Sequence, residues 1–433
     1  MKQERVPLPA GQRVAVVGAG IAGLASAYLL ARRHHVTLFE ASDYLGGHTH
    51  TVDVCLEGKS APVDTGFLVF NERTYPNLIA LLEELGVASH QSTMSFSVSL
   101  DEGRLEWAGT NLNTIFAQRS NAFSPTFLGM LRDIVRFNRC AEQHLESASR
   151  DGYSVGELLT AQGYGSPFQR HYLLPMASAI WSSAARDILQ FPAATFLRFC
   201  LNHALLQVSG RPAWRSVLGG GREYVNRIAS RLDDVRLNTP VRGIRRDSEG
   251  VTVITESAGP QRFDAIVMAS HAPTTLSLLD DADSRERDVL GAVRYQRNVA
   301  VLHSDAALLP RRRRVWSAWN YLSARGTHEE HAPVCVSYLL NQLQPLPFQA
   351  PVVVTLNPVV EPSPDSVLGR YEYEHPLLDL RAVNAQRSLP DLQGRRRTWF
   401  AGAWTGYGFH EDGLKSALRV AADFDVMPRW ARL

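Results

Sequence analysis

An α/β fold, with a parallel sheet at its centre and a second, discontinuous α+β region, is predicted by three features of the sequence. Val14 to Gly47 reads as strand, glycine-rich turn, helix and strand. FDAIVMASHAP from Phe263 and TWFAGA from Thr398 read as further strands with no polar alternation, the pattern of strands buried on both faces. Between these pieces the chain twice changes character, over 89–212 and again over 274–395. The predicted division is therefore 1–88, 213–273 and 396–433 for one domain, and 89–212 with 274–395 for the other.

VAVV (Val14–Val17) is the first strand. Gly18, Gly20 and Gly23 follow at Gly-x-Gly-x-x-Gly spacing. The first makes a tight turn, the second lets backbone approach a pyrophosphate, and the third lets the next helix pack closely on the strand. That helix, from Ile21 and Ala22 onward, aims its N-terminal amides at the phosphates. VTLFE ends at Glu40, twenty residues after Gly20, where a carboxylate can bond an unphosphorylated ribose. A lone glycine triplet is weak evidence; strand, turn, helix, strand and terminal acid in this order are strong. Gly46 and Gly47 form a second glycine pair soon after.

Thr49 to Val63 reads as a strand and a turn, with Gly58 and Lys59 at the tip, and Asp64 to Asn71 as a loop and strand in which Gly66 lets backbone approach a ligand. YPNLIALLEELGV is an amphipathic helix stopping at Gly86. The first insertion combines short strands (SFSVSL and RLEWAG) with apolar helices around Phe127–Phe137, Phe168–Trp181 and Phe191–Val208. Leu, Phe and Arg mixed on two of them, Phe127–Phe137 and Phe191–Val208, suit an apolar substrate tunnel or a membrane surface, although core-facing helices with snorkelling arginines are commoner. After Gly219–Gly221 the chain returns through strands with a hairpin at Ser248–Gly250. The second insertion carries NVAVLH, VWSAWNY, VCVSYLL and PVVVTLNP as strands, and the basic run Arg311–Arg314, a solvated loop or an anionic-lipid contact. HEDGLKSALRVAAD is the last helix, with Glu411 and Asp412 where acids suit the helix dipole.

The 433 residues suit two domains with ample core. A formal charge of +2 gives no electrostatic case for nucleic acid. Of 45 basic residues only Lys2, Lys59 and Lys415 are lysine. Cys55, Cys140, Cys200 and Cys335 form no CxxC pair, which argues against a metal site or disulfide framework. The N-terminal residues fit no signal peptide and no run is long enough to span a bilayer, so a cytoplasmic protein is expected, with peripheral contact at the inner membrane face as the one variation.

Taken together, VAVVGAGIAGLASAYLL…VTLFEASDYLGGHTHT, VRGIRR…FDAIVMASHAP and WFAGAWTGYGFHEDGLKSAL occur in the order found in FAD flavoproteins of the amine-oxidase and phytoene-desaturase superfamily. GGHTHTV, DTGFLVFNERTYPNL and GYGFHEDGLKS resemble a bacterial group of predicted NAD/FAD-binding proteins. The resemblance covers nearly the whole chain. It implies a Rossmann-like FAD-binding domain of the GR2 flavoprotein type, a discontinuous α+β substrate domain and an oxidoreductase. Association of that group with cyclopropane-type or methylated fatty-acyl phospholipid synthesis implies a fatty-acyl or phospholipid substrate, with a lipid methyltransferase as partner.

By the same resemblance Gly18, Gly20 and Gly23 hold the pyrophosphate and Glu40 the ribose. Gly46, Gly47, His48 and Thr49 run along the pyrophosphate and ribityl chain, with Asp64 and Gly66 beside them. Val241 meets the adenine, Gly402 and Ala403 the ribityl, and Gly413 and Leu414 the pyrimidine end of the flavin. His48 stands where many relatives have Arg, and Ala403 where they have an acid. Asn298, in YQRNVAVLH, falls in the region where amine oxidases carry a lysine beside the flavin.

The expected reaction is hydride transfer from a fatty-acyl carbon to FAD. His410 and Glu411 are the candidate bases, Tyr407, Trp181 and Tyr338 the candidate walls, and His48 or His50 could link covalently to the flavin, a noncovalent contact being preferred. The alternatives are an oxidase of a small polar amine, which needs acids or an aromatic cage, and a flavin-binding partner without turnover.

Overall fold

The computed structural model describes residues 9–207, 210–324 and 334–433. β1 (Arg13–Val17), α1 (Ile21–Leu30) and β2 (His35–Phe39) form the predicted unit. All four residues of VAVV are buried, as are all ten of α1, because this layer is covered on both sides. The reason α1 can lie so close to β1 is Gly23: a Cβ there would stand 1.8 Å from the Gly18 carbonyl oxygen. The next helix, α2 (Pro76–Leu85), begins on a proline and ends at Gly86, whose left-handed φ of 67° closes it as predicted.

In the first insertion, β3 (Phe96–Leu100) and β4 (Leu105–Ala108) pair across the DEG turn, and Ser124 caps α3 (Pro125–Arg139) by accepting from the Phe127 amide. The helix predicted from Phe168 begins at Ser166 and runs to Trp181, opening to a π turn over Gln169–Leu173. Pro175 supplies the cause, since it has no N–H to close a regular turn. Tyr172, Met176 and Ile180 fall on one side of this helix at intervals of four.

The chain then returns through β5 (Asp234–Arg236) and β6 (Ala265–Met268). The second excursion supplies β7 (Arg294–His303), β8 (Trp319–Leu322), β9 (Cys335–Leu339), β10 (Val353–Leu356) and β11 (Val367–Leu377), before β12 (Thr398–Phe400) and α4 (His410–Asp423) finish the chain. β5, β2, β1, β6 and β12 make a five-stranded, wholly parallel sheet in that order. A second sheet, in the order β11-β7-β10-β9-β8-β3-β4, is antiparallel except between β8 and β3. α1 and α4 pack on one face of the parallel sheet, whose core includes Leu24, Leu38, Leu414 and Leu418.

A small sheet ties the two regions together: Ser89–Ser92 pairs with Trp214–Val217, across the predicted segment limits. Strand β11 is an addition to the predicted elements. The expectation about the first residues, and the end of the helix predicted to reach Val208, lie outside the described residues. Among the described residues no helix is long and apolar enough to cross a membrane.

Replacing Gly23 with Ala forces α1 off β1. The expected cost is about 1–3 kcal/mol of stability, read as a lower thermal midpoint.

Candidate active site

The carboxyl ends of β1, β2 and β6 open into a cavity of about 1230 Å³ that runs on beneath the seven-stranded sheet and the insertion helices. This is where an open parallel sheet binds its ligand. At one end it is lined by Gly18, Gly20, Ile21, Ala22 and Glu40, with Val241 nearby. A Cβ on Gly20 would meet nothing within 4 Å, so the space over this glycine is free for a ligand. Gly46 closes against it by donating to the Ala19 carbonyl at 2.9 Å, and Gly47, at φ 58°, faces the Gly20 Cα. The Glu40 carboxylate accepts from the amides of Ala19 at 2.7 Å and Ser42 at 2.9 Å, which fixes its direction at the rim.

Further in, Gly66 lies against the His48 carbonyl, where a Cβ would come within 2.2 Å. His48 is half-buried, facing His375 and Tyr373, both 5.2 Å away between ring centroids. One of its ring nitrogens bonds the Glu374 backbone, and its buried Nε2 has no partner among the described residues. Burial, with His375, His271 and His410 around it, pushes its pKa well down and keeps it neutral. Trp404 Nε1 is likewise buried and unpartnered. An empty cradle over Gly20 and orphaned donors or acceptors along the same cavity fit an extended dinucleotide such as FAD.

Gly402 and Ala403 line the cavity as expected, and so do Tyr407, Trp181 and Tyr338. Trp181 packs on Phe199 at 4.7 Å, which itself stacks on Phe409 at 4.9 Å, and Tyr407 stands 5.6 Å from Phe199. This is an aromatic wall. Beyond it an apolar arm is lined by Trp107, Ile115, Leu131, Ile134, Tyr172 and Met176. The carboxylates on the whole lining are Glu40 and Glu374, the latter bonded to His271 Nδ1 at 3.1 Å, and no lysine reaches it.

Several expected roles are corrected. Glu411 does not face the cavity. Its carboxylate accepts from the backbone amides of Asn77 and Leu78 and from Asn77 Nδ2, at 2.7–3.1 Å, so it caps the start of α2. His410 is a wall, not a base: its ring stacks on Phe67 at 3.7 Å, and its Nε2 meets Thr49 Oγ1 at 3.0 Å and the Tyr224 hydroxyl at 2.7 Å. Burial pushes its pKa down to about 3. Thr49 is spent in this network and does not line the cavity.

Asp64 also turns inward, accepting from Thr51 Oγ1, the Gly221 amide and Gln344 Nε2. Burial raises its pKa to about 6. Gly23 serves packing, as its spacing predicted, and not ligand contact. Gly413 and Leu414 are displaced too: a Cβ on Gly413 would sit 2.8 Å from Ile21, its amide donates to Phe409, and Leu414 is in the core. The cavity reaches α4 one turn earlier, at Gly408, Phe409 and His410. His50 lies outside the lining, its Nδ1 beside the Tyr373 hydroxyl at 3.1 Å.

Residues not foreseen include His271, Glu374 and His375. The last two lie on β11, whose alternating YEYEHP was a period-2 signal for a strand. Asn298 Nδ2 donates to His375 Nδ1 at 2.9 Å and Asn357 Nδ2 donates to Asn298 Oδ1, which leaves the His375 proton on Nε2. Asn298 thus holds a cavity histidine at the place where a lysine was sought.

The profile of flavin containing amine oxidoreductases matches residues 21–318. The chain belongs to that family. It has the GR2 type of α/β fold. A carotenoid phi-ring synthase of Streptomyces griseus is 30% identical over 298 residues, 61% of this chain and 54% of that protein. The chain spans 54% to 62% of the length of the curated relatives it matches over its longest stretches. Among solved structures, a fatty acid isomerase from P. acnes superposes with a TM-score of 0.67 at 15% identity, covering 95% of this chain and 98% of that one. A putrescine oxidase bound to putrescine gives 0.67 at 18% identity, with 96% and 100% covered. Identities this low establish the fold and leave the substrate open.

Two predictions follow from the site itself. Glu40→Ala should weaken FAD retention by about 1.5–3 kcal/mol, measured by flavin release on dilution. His375 is held neutral by burial, its pKa pushed down to about 4, whereas in the unfolded chain it protonates near 6.5. Its contribution to stability is therefore intact above pH 6.5 and is lost as pH falls toward 4. His375→Gln should flatten the pH dependence of the urea unfolding free energy in that window by up to about 1.4 kcal/mol per pH unit. Asp64 acts in the opposite sense, since its raised pKa favours the folded state at low pH, and it is unchanged in the comparison.

Proposed function

We propose that this enzyme takes a hydride from a saturated or allylic carbon of a fatty-acyl chain, introducing or moving a double bond. The observation that carries the reading is the apolar arm, which continues from the aromatic wall with six uncharged residues and can take a long unbranched chain. Bound FAD would supply the two-electron chemistry. Where a double bond is introduced, a proton from the neighbouring carbon must leave as well, and the unpartnered Nε2 of neutral His48 is free to take it. An external acceptor must then take the electrons away, whereas if a double bond is moved the hydride returns to the substrate. The rest of the chain's part is to position and to keep dry. Trp181, Phe199, Tyr407 and Phe409 restrict the reacting carbons to one path, and Tyr172, Met176 and Ile180 form one side of the arm. His48 and His375 are neutral and add no charge to the cavity, whose lining, among the described residues, carries Arg211 as its one arginine. The likeness to a fatty acid isomerase agrees with this reading through fold alone.

A second reading, oxidation of a small amine, is favoured by the aromatic wall, which could receive a cation. It has no carboxylate at that wall to anchor an ammonium, and Asn298 where a lysine was sought.

Purified, flavin-loaded protein should bleach anaerobically with a detergent-dispersed acyl lipid and yield an altered double-bond pattern by mass spectrometry. Met176→Trp, which fills the arm, should lower turnover of long acyl chains by at least about tenfold, one hydrophobic pocket's range of discrimination, while FAD content is unchanged. Bleaching by simple amines with no change in lipid would overturn the reading in favour of the second.

A further inference from the structure

The basic run Arg311–Arg314 packs beside the β3–β4 turn and the segment that leads into α3. α3 presents Leu128, Arg132, Val135 and Arg139 outward, at intervals of four, three and four. Leu128 and Val135 are 43% and 46% exposed, and the Arg132 side chain 80%. Just before α3, Leu112 and Phe123 are 74% and 87% exposed. Four of the eleven exposed large apolar residues of the described chain thus fall within one 24-residue span.

The basic run joins this span. The Arg312 guanidinium donates to the Gly103 carbonyl, and Val315 packs with Ala108 and Ala117 beneath it. Two buried acids neutralise part of this face. Asp133, the single acid on α3, accepts from the Gly165 amide and lies 3.5 Å from Arg132 and 3.6 Å from Arg136. Glu106 accepts from the amides of Arg311 and Arg312 and from the Arg312 guanidinium at 2.8 Å, which leaves Arg139 and the remaining arginines of the basic run to carry the net positive charge. Glu102 remains, half exposed beside Arg311. Exposed apolar side chains interleaved with arginines complement one kind of surface, an anionic lipid headgroup layer over acyl chains.

The face is also continuous with the cavity. Leu131 and Val135 line a surface groove together with Arg132, Arg136 and Arg139, and the same two residues line the apolar arm beside Ile115 and Ile134. We propose that this face docks on an anionic bilayer and sets the mouth of the apolar arm against the acyl layer, so that the substrate chain enters without crossing water. The purpose of the docking rests on the acyl-chain reading above; the docking itself does not.

The test is sedimentation of the flavin-loaded full chain with vesicles of phosphatidylglycerol or of phosphatidylcholine. Binding to the anionic vesicles should be stronger by at least about tenfold and should weaken as salt is raised. Phe123→Ser with Leu128→Ser should abolish it, and Arg132→Glu with Arg139→Glu should remove the preference for anionic lipid. Flavin content and thermal midpoint serve as the check that the variants fold. Wild-type binding by properly folded variants overturns the proposal, as does equal binding to both vesicles. A concentration-dependent dimer dissolved by the same substitutions would give the face to a second copy and also overturn it. Vesicle binding without turnover of dispersed acyl lipid would leave the docking standing and defeat the substrate reading.

Discussion

The contact on which the rest depends is the absence of a side chain at Gly23, which lets α1 settle against the Gly18 carbonyl at the end of β1. From that approach follows the direction of α1 toward the cavity, and from it the position of Ala19, whose amide is held by Glu40 and whose carbonyl receives Gly46. The loop after β2 is thereby drawn over the first glycine turn. Gly20 is left facing open space between them. One close approach therefore shapes both sides of the cradle in which a dinucleotide can lie.

Around this cradle the protein spends buried polar groups on one another. Glu411 holds α2, Asp64 holds the glycine turn before Arg222, and His410 closes a network with Thr49 and Tyr224. Each looks from sequence like a reactive group in a promising place, and each is engaged with backbone amides or hydroxyls. Buried polar atoms in a folded protein are almost always satisfied. Among those of the described residues that have no hydrogen-bond partner, the ones of His48, Trp107, Asn138, Trp181, Trp319 and Trp404 belong to residues that line the cavity, whereas those of His34, Asn71, Asn121, Asp281 and Arg395 lie elsewhere.

How much of this was legible in the sequence follows from range. The nucleotide unit, the Gly86 stop, the DEG turn and the strands of the second insertion depend on neighbours a few residues apart, and their patterns could be read directly. Whether Glu411 faces the cavity or α2 depends on a partner more than 300 residues away. The rotation of α4 is set by Gly413 against Ile21, and no local pattern encodes it. The histidines on and near β11 were missed for a simpler reason: alternating Tyr and Glu is a strand signal, and it was passed over because it contains little aliphatic side chain. The apolar arm was foreshadowed by the composition of the insertion helices, but its position came from the side-chain spacing of a helix opened at Pro175.

The order of strands in the parallel sheet carries a consequence for how the chain is made. β12 is an edge of that sheet, and its three residues leave the ribosome after nearly four hundred others. The single parallel pairing in the other sheet joins β3 to β8, more than two hundred residues later. Neither sheet can be completed while synthesis is under way through most of its length, and contacts this distant in sequence form slowly. The apolar strands made early must therefore be kept apart from other chains until the last segment arrives. The cavity is walled both by the early segment 17–48 and by the late segment 402–410, so its walls come together only after both have been made.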